Sequence, residues 1–330
     1  MLLSIKDLVV CFQTYRGKIT AVRGVSLDVN AGEMVGIVGE SGCGKSVTAQ
    51  AIMGLLPEKN SFIANGSINF NGQELTRLQK KDWLAVRGKD IAMIFQDPMT
   101  SLNPVLTIGT QLEESILRQG ELQGGAVQER AIELLTQVGI TEPEKRLKAY
   151  PHEFSGGMRQ RVMIAMALAG KPKLLLADEP TTALDVTIQA QIMTLLKKLQ
   201  RELNMAIILI SHDLGVVAGS CDRVNVMYAG KVVEKGTVES IFDNPEHPYT
   251  QGLLKALPRL TDKRDEPLAT IAGQPPDLLY AIAGCGFAPR CKDAMQVCLT
   301  HKPSCTQVES GHTAACWLLD ARAPKRGDRS

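Results

Sequence analysis

Eight residues, Gly39-Glu40-Ser41-Gly42-Cys43-Gly44-Lys45-Ser46, stand between an apolar run, Met34 to Val38, and a stretch of helical spacing, Ser46 to Leu56. The apolar run has the length of a buried strand and ends in Gly39, so the order is strand, glycine loop, helix. In that order the glycines let backbone N–H groups turn inward, and the helix N-terminus adds a partial positive charge. Such a loop suits phosphate oxygens. Lys45 is spaced to reach β- and γ-phosphates, and the Ser46 hydroxyl to ligate Mg²⁺. Cys43 is an arbitrary loop position here, a bystander and not a nucleophile. The strand before the loop needs a sheet around it, which points to an α/β chain.

The rest of the 330 residues fits that class. Residues 2 to 38 alternate apolar and polar positions in short β-rich runs separated by glycine-containing turns, which predicts a small antiparallel region. Ile91 to Phe95 reads as a strand. From about residue 105 to 170 the spacing turns helical, in Ile108 to Leu117, Ala126 to Val138 and Met158 to Leu168, as in a helical insertion. Strand Lys173 to Ala177, helix Thr187 to Leu203, strand Ala206 to Ile210, a short helix from Asp213, and strands near Arg223 to Tyr228 and Lys231 to Glu234 follow. Such alternation predicts a largely parallel sheet with helices on both faces. After about Pro245 the composition shifts toward Pro, Gly and Cys. A short helix from Tyr249 to Leu257, a linker from Pro258 to Pro276 and a charged, mobile end from about Ala321 are expected. The expected division is therefore residues 1–245 as the α/β domain and 246–330 as an extension.

A second motif complements the loop. Leu174-Leu175-Leu176-Ala177-Asp178-Glu179 is an apolar strand ending in two acids. Asp178 is placed to support Mg²⁺ and Glu179 to polarise an attacking water, because phosphoryl transfer asks a protein mainly for positioning and charge stabilisation.

With these in place, Gly39 to Ser46 is a Walker A sequence, Asp178 the Walker B acid, and the chain resembles the ABC ATPase family over about residues 3 to 245. Phe154-Ser155-Gly156-Gly157-Met158-Arg159-Gln160-Arg161 resembles the ABC signature, with Phe and Met where the common form has Leu and Gln. The resemblance implies a P-loop ATPase domain with a RecA-like parallel core, an antiparallel β region and a helical subdomain. It implies that Ser155, Gly156, Gly157 and Met158 contact the γ-phosphate of nucleotide held by the opposite subunit. It makes Gln96 the Q-loop residue near catalysis and metal, Ala183-Leu184-Asp185 the D-loop, and His212 the switch histidine. The nucleotide-binding set then comprises Gly39, Glu40, Ser41, Gly42, Cys43, Gly44, Lys45, Ser46, Val47, Asp178 and Asp185. Phe12, with Tyr15 as runner-up, is the candidate aromatic that stacks on adenine.

Three stretches, Ile94 to Pro104, Tyr150 to Phe154 and Asn244 to Thr250, resemble the ATPases of oligopeptide and dipeptide importers, a group that includes nickel relatives. That resemblance implies an external solute-binding protein, two membrane-spanning permease subunits, and a second ABC ATPase, often a non-identical paralogue. The chain is then peripheral, on the cytoplasmic face of the bacterial cell membrane. Two readings agree with this placement: no apolar run approaches the roughly 20 residues of a membrane span, and the start lacks a secretion signal.

Of eight cysteines, five crowd residues 285 to 316. In a reducing compartment that crowding reads as metal or iron-sulfur ligation before disulfides. Cys285, Cys291, Cys298 and Cys316 are separated by five, six and seventeen residues, with Cys305 spare. The importer resemblance associates this tail with a 4Fe-4S cluster; tetrahedral Zn²⁺ is the alternative, and spacing does not separate the two.

Lys plus Arg number 37 against 35 for Asp plus Glu, so charge gives no reason to propose nucleic acid as a partner. A soluble ABC ATPase acting on DNA or ribosomes predicts tandem cassettes or basic patches, and a P-loop kinase predicts an acceptor site without a signature helix. Tandem cassettes and basic patches are not present, and a kinase gives no reason for the signature segment at Ser155 to Met158.

Overall fold

The computed structural model describes residues 1–97, 101–120, 122–182, 184–257 and 270–324. Pro98, Met99 and Thr100, Glu121, Ala183, residues 258–269 of the expected linker, and residues 325–330 lie outside the described residues. The chain divides into two compact units.

The first unit takes Met1–Leu2, Val29–Met34 and Asn71–Ile210. Its sheet is parallel: Ile91–Ile94 pairs with Leu174–Asp178 in the register Ile91↔Leu174, and Leu174–Asp178 pairs with Ala206–Ser211 in the register Leu174↔Ala206. Every position of the last two strands is buried, as a strand covered on both faces requires. Around this sheet stand helices Ile108–Leu117, Gly125–Gln137, Gly156–Leu168 and Val186–Glu202. Helix Val186–Glu202 buries Ile192, Leu195, Leu196 and Leu199, a stripe at three- and four-residue spacing. Helix Gly156–Leu168 buries four residues in a row, Val162 to Ala165. It is covered on several sides because it packs against Ile108–Leu117, Gly125–Gln137 and Ile91–Ile94.

The second unit takes Leu3–Asp28, Val35–Phe70 and Ser211–Ser330. Strands Leu3–Thr14 and Gly17–Val29 lie side by side, and Ser61–Phe70 pairs antiparallel with the first, Leu3 opposite Phe70 and Phe12 opposite Ser61. The Ser61–Phe70 strand is not evident in the sequence, where Asn65-Gly66 interrupts its alternation. In the other sheet Met34–Val38 runs parallel to Arg223–Tyr228, which turns back into Lys231–Thr237. The turn is the pair Ala229 (φ 46°) and Gly230 (φ 77°), the left-handed pair of a tight two-residue hairpin.

The cysteine-rich region joins this sheet. His312–Ala314 pairs antiparallel with Lys231–Thr237, Glu234 opposite Ala314, and Thr306–Glu309 pairs with His312–Ala314. One fully buried polar knot fixes the junction. Glu234 accepts backbone N–H groups from Glu246 (2.7 Å) and His247 (3.0 Å), and His312 Nε2 lies 2.8 Å from its Oε1, with both side chains at 0% exposure. A carboxylate offers only acceptors, so Nε2 carries the proton in this pairing.

The elements that the sequence predicts are observed, with shifts at their ends. The first helix spans Lys45–Ile52 and stops short of Leu56 because Gly54 adopts φ 61°, the left-handed conformation that terminates helices. The predicted helix Tyr249 to Leu257 runs Pro248–Lys255, started by the ring nitrogen of His247, which accepts the Tyr249 N–H at 3.0 Å.

Candidate functional site

In the second unit the glycine loop leaves Met34–Val38 and closes on itself through Lys45. Its ammonium, 5% exposed, donates to the carbonyls of Gly39 (2.7 Å) and Glu40 (3.1 Å). Two glycines are sterically required. A Cβ on Gly39 would collide with the Met227 carbonyl, and one on Gly44 would stand 2.6 Å from the Ala21 carbonyl. The loop is anchored by Gly230, whose N–H donates to the Cys43 carbonyl at 2.9 Å, and by Tyr249, whose hydroxyl accepts the Glu40 N–H at 2.9 Å. Ser41 and Gly42 are exposed at the tip, while Ser46 and Val47 open the helix half-buried. Cys43 is buried, and burial pushes its thiol up, so it stays protonated and unreactive near neutrality.

His212 is exposed immediately after strand Ala206–Ser211. Its position is set by its neighbours: the Ser211 hydroxyl accepts the Asp213 N–H (2.9 Å), and Asp213 caps the next helix by accepting from Gly215 (2.8 Å) and Val216 (3.3 Å). Phe12 is half-buried in its strand, whereas Tyr15 is 98% exposed in the turn that follows.

In the first unit Asp178 is buried at the end of its strand, and Glu179 takes φ 48°, a left-handed conformation unusual for a residue with a side chain. Backbones held this way store about 1–3 kcal/mol and persist where surrounding contacts over-determine them. Those contacts are present. The Glu179 N–H donates to the Ile210 carbonyl (2.9 Å), and its Oε2 accepts from Gln96 Nε2 and from the Thr182 hydroxyl, both at 3.0 Å. The sequence-predicted pair Gln96 and Glu179 is thus joined directly. Thr182 is a partner that sequence reasoning missed; its only signal is that it lies three residues after Glu179.

The signature segment opens helix Gly156–Leu168. Ser155 caps it, accepting the Met158 N–H at 3.3 Å, and Ser155 and Gly156 are exposed. Gly157 is buried against the next helix: a Cβ there would stand 2.6 Å from Ile188 Cγ2. Asp185 caps that helix, accepting from Thr187 and Ile188 at 3.0 Å. The turn that carries Asp185 and the packing of Gly157 therefore meet at the same helix start.

In the tail, the Cys285 N–H donates to the Cys298 carbonyl at 2.7 Å. Burial raises the thiols of Cys285, Cys291 (to about 11) and Cys316 (to about 12). Cys305 is exposed. Among the described residues no group of three or more His, Cys, Asp or Glu side chains is arranged to hold a metal ion.

Comparison of the chain with known proteins identifies its relatives. The ABC transporter family model matches residues 22–182, and the model of the oligopeptide/dipeptide transporter C-terminal region matches residues 233–298. The chain is 54% identical to the dipeptide transport ATP-binding protein DppD of Bacillus subtilis over 97% of its own length and 96% of that protein. It is 52% identical to the oligopeptide transport ATP-binding protein OppD of Escherichia coli, over 96% and 93%. Among solved structures, a dimeric post-hydrolysis state of the ATP-binding cassette MJ0796 bound to ADP and Pi aligns with TM-score 0.64 at 30% identity. It covers 72% of this chain and 99% of that one.

Proposed function

We propose how the chain works from one premise: it belongs to the ABC transporter family, as an ATP-hydrolysing subunit of the oligopeptide and dipeptide importer branch. The observation that carries the reading is the buried Lys45 ammonium, held inside the glycine loop at the mouth that phosphates would enter. Incoming phosphate oxygens exchange for the two carbonyls it now contacts, and the loop N–H groups from Ser41 to Ser46 donate to them. Mg²⁺, when bound, neutralises charge that develops on the phosphates. We assign Ser46, Asp178 and Gln96 as the residues whose side-chain oxygens would hold it. We assign adenine stacking to Phe12 and a γ-phosphate contact to His212. Glu179 orients the attacking water, with Gln96 and Thr182 fixing its carboxylate. Residues 1–245 form the cassette and 246–330 its extension.

The signature residues Ser155 to Met158 serve nucleotide held on a neighbouring cassette's glycine loop, a reading supported by the exposed helix start and by the dimeric state of the solved relative. Among the described residues no helix is long and apolar enough to cross a membrane. The importer branch supports a transport path formed by two permease subunits and fed by an extracytoplasmic binding protein, with this chain and a second, non-identical ATPase on the cytoplasmic face. For the tail, we assign Cys285, Cys291, Cys298 and Cys316 to a 4Fe-4S cluster, with Zn²⁺ as the alternative; the backbone bond that joins Cys285 to Cys298 supports the reading, while the four side chains as they stand are not grouped to hold a metal.

The test is phosphate release from the complex purified from membranes with its attached subunits. Glu179→Gln is expected to keep ATP but lose about 10²–10⁴-fold in turnover, the span of a positioned acid or base. Lys45→Ala is expected to lose nucleotide retention. Undiminished turnover in the first, or undiminished binding in the second, removes the residue from its role.

A further inference from the structure

Glu40 places a carboxylate, and so a negative charge, in a loop that serves phosphate. The C-terminal region answers that charge. Arg290 Nη1 donates to Glu40 Oε2 at 2.7 Å, across 250 residues of sequence, with the arginine side chain only 5% exposed. The guanidinium is itself immobilised: Nη2 donates to the Ile271 carbonyl and Nε to the Ala272 carbonyl, both at 3.0 Å, and Nη1 also reaches the Tyr228 hydroxyl at 3.2 Å. Phe287, three residues earlier, packs its ring against Tyr228 (5.2 Å) and Tyr249 (5.4 Å). Tyr249, in turn, holds the Glu40 backbone N–H. The second residue of the phosphate loop is therefore gripped at its backbone and at its side chain by residues beyond position 245.

We propose that Arg290 is a positioning residue of the nucleotide site, which neutralises Glu40 and, together with Tyr249, fixes the first turn of the phosphate loop. The C-terminal extension thereby sets the affinity of the chain for ATP. The inference rests on the phosphate-loop reading above and adds the groups that tune it. A fixed, charge-neutral loop presents its N–H groups without repelling the triphosphate. Without Arg290 the Glu40 carboxylate faces the phosphates unpaired, and both effects weaken binding in the same direction.

The test uses the full chain in its complex, measuring KM for MgATP, kcat and the melting temperature. Arg290→Gln is expected to raise KM about tenfold, a coupling of ordinary size, with kcat changed much less. Arg290→Lys recovers part of the loss. The decisive variant is Glu40→Gln combined with Arg290→Gln: removing the exposed charge returns KM to within about threefold of wild type, because the repulsion is gone. A side chain that only packs the tail would lower the melting temperature of Arg290→Gln and leave KM within twofold, and that result overturns the proposal. So does a double variant no better than Arg290→Gln. Should Arg290→Gln not fold, Tyr249→Phe, which removes only the hydroxyl that holds Glu40, is expected to raise KM severalfold, and an unchanged KM overturns the proposal equally. Failure of the wild-type chain to bind MgATP would instead refute the phosphate-loop reading itself.

Discussion

Replacing His312 by alanine should loosen the C-terminal hairpin selectively. The Glu234 carboxylate accepts three hydrogen bonds with no solvent access, and His312 supplies the only one that comes from a side chain. A hydrogen bond to a charged group contributes about 1.5–3 kcal/mol. Its loss leaves the carboxylate buried with two backbone donors, and the vacated imidazole leaves a cavity. One-sided breakage of a buried pair costs about 3–5 kcal/mol, and that is the expected size here. Because the pair joins His312–Ala314 to Lys231–Thr237, the penalty should appear first as local opening and not as global unfolding. Hydrogen exchange followed by mass spectrometry reads it directly. Amides of residues 306–314 should exchange on the order of 10²–10⁴-fold faster, at 1.36 kcal/mol per decade, while those of the Leu174–Asp178 strand stay protected. His312→Gln, which retains a donor, should show a smaller change. Exchange of the hairpin within threefold of wild type in His312→Ala would refute the reasoning.

Gly157→Ala places a Cβ 2.6 Å from Ile188 Cγ2 and should cost about 1–3 kcal/mol in thermal unfolding, whereas Gly156→Ala, 3.3 Å from Leu184, should cost less; equal losses would contradict the packing. Burial holds the His247 imidazole at about 3, far below its ordinary 6.5, so below pH 6.5 the unfolded chain takes up a proton that the folded chain refuses. Stability should therefore fall as pH drops from 6.5 toward 3, by about 2 kcal/mol at pH 5. His247→Asn, which keeps the capping acceptor, should lose that part of the pH dependence in urea titrations, and an identical slope would exclude His247 as its source. Anaerobic purification with iron, sulfide and zinc analysis should return iron and sulfide in cluster proportion; stoichiometric zinc without iron would move the assignment to a structural zinc.

The glycine loop, the acidic strand end and the capped signature helix were legible in sequence for a common reason. Each needs particular residue types at fixed short spacing, because backbone N–H groups, a strand end and a helix start must be built locally. Gln96 and Glu179 could be named separately, but their 3.0 Å contact could not, since nothing in the 82 residues between them encodes a distance. The link between Arg290 and Glu40 is a stronger case of the same limit. The hairpin Thr306 to Ala314 escaped notice because its nine residues are mostly polar, and a buried histidine in such a stretch looks like any surface histidine. Phe12 and Tyr15 are both aromatic candidates in sequence; the near-complete exposure of Tyr15 is visible only in three dimensions.

The hairpin has a bearing on handling the protein. Strand Lys231–Thr237 has Arg223–Tyr228 on one side, and His312–Ala314 covers the other. Beyond it, Thr306–Glu309 is four residues long and polar, a poor template for further pairing. A chain cut before Thr306 would bare a longer row of unsatisfied N–H and C=O groups beside the buried Val233. Its first failing should be aggregation between copies, so insolubility of such a fragment would say nothing about whether the thiols themselves are needed for folding.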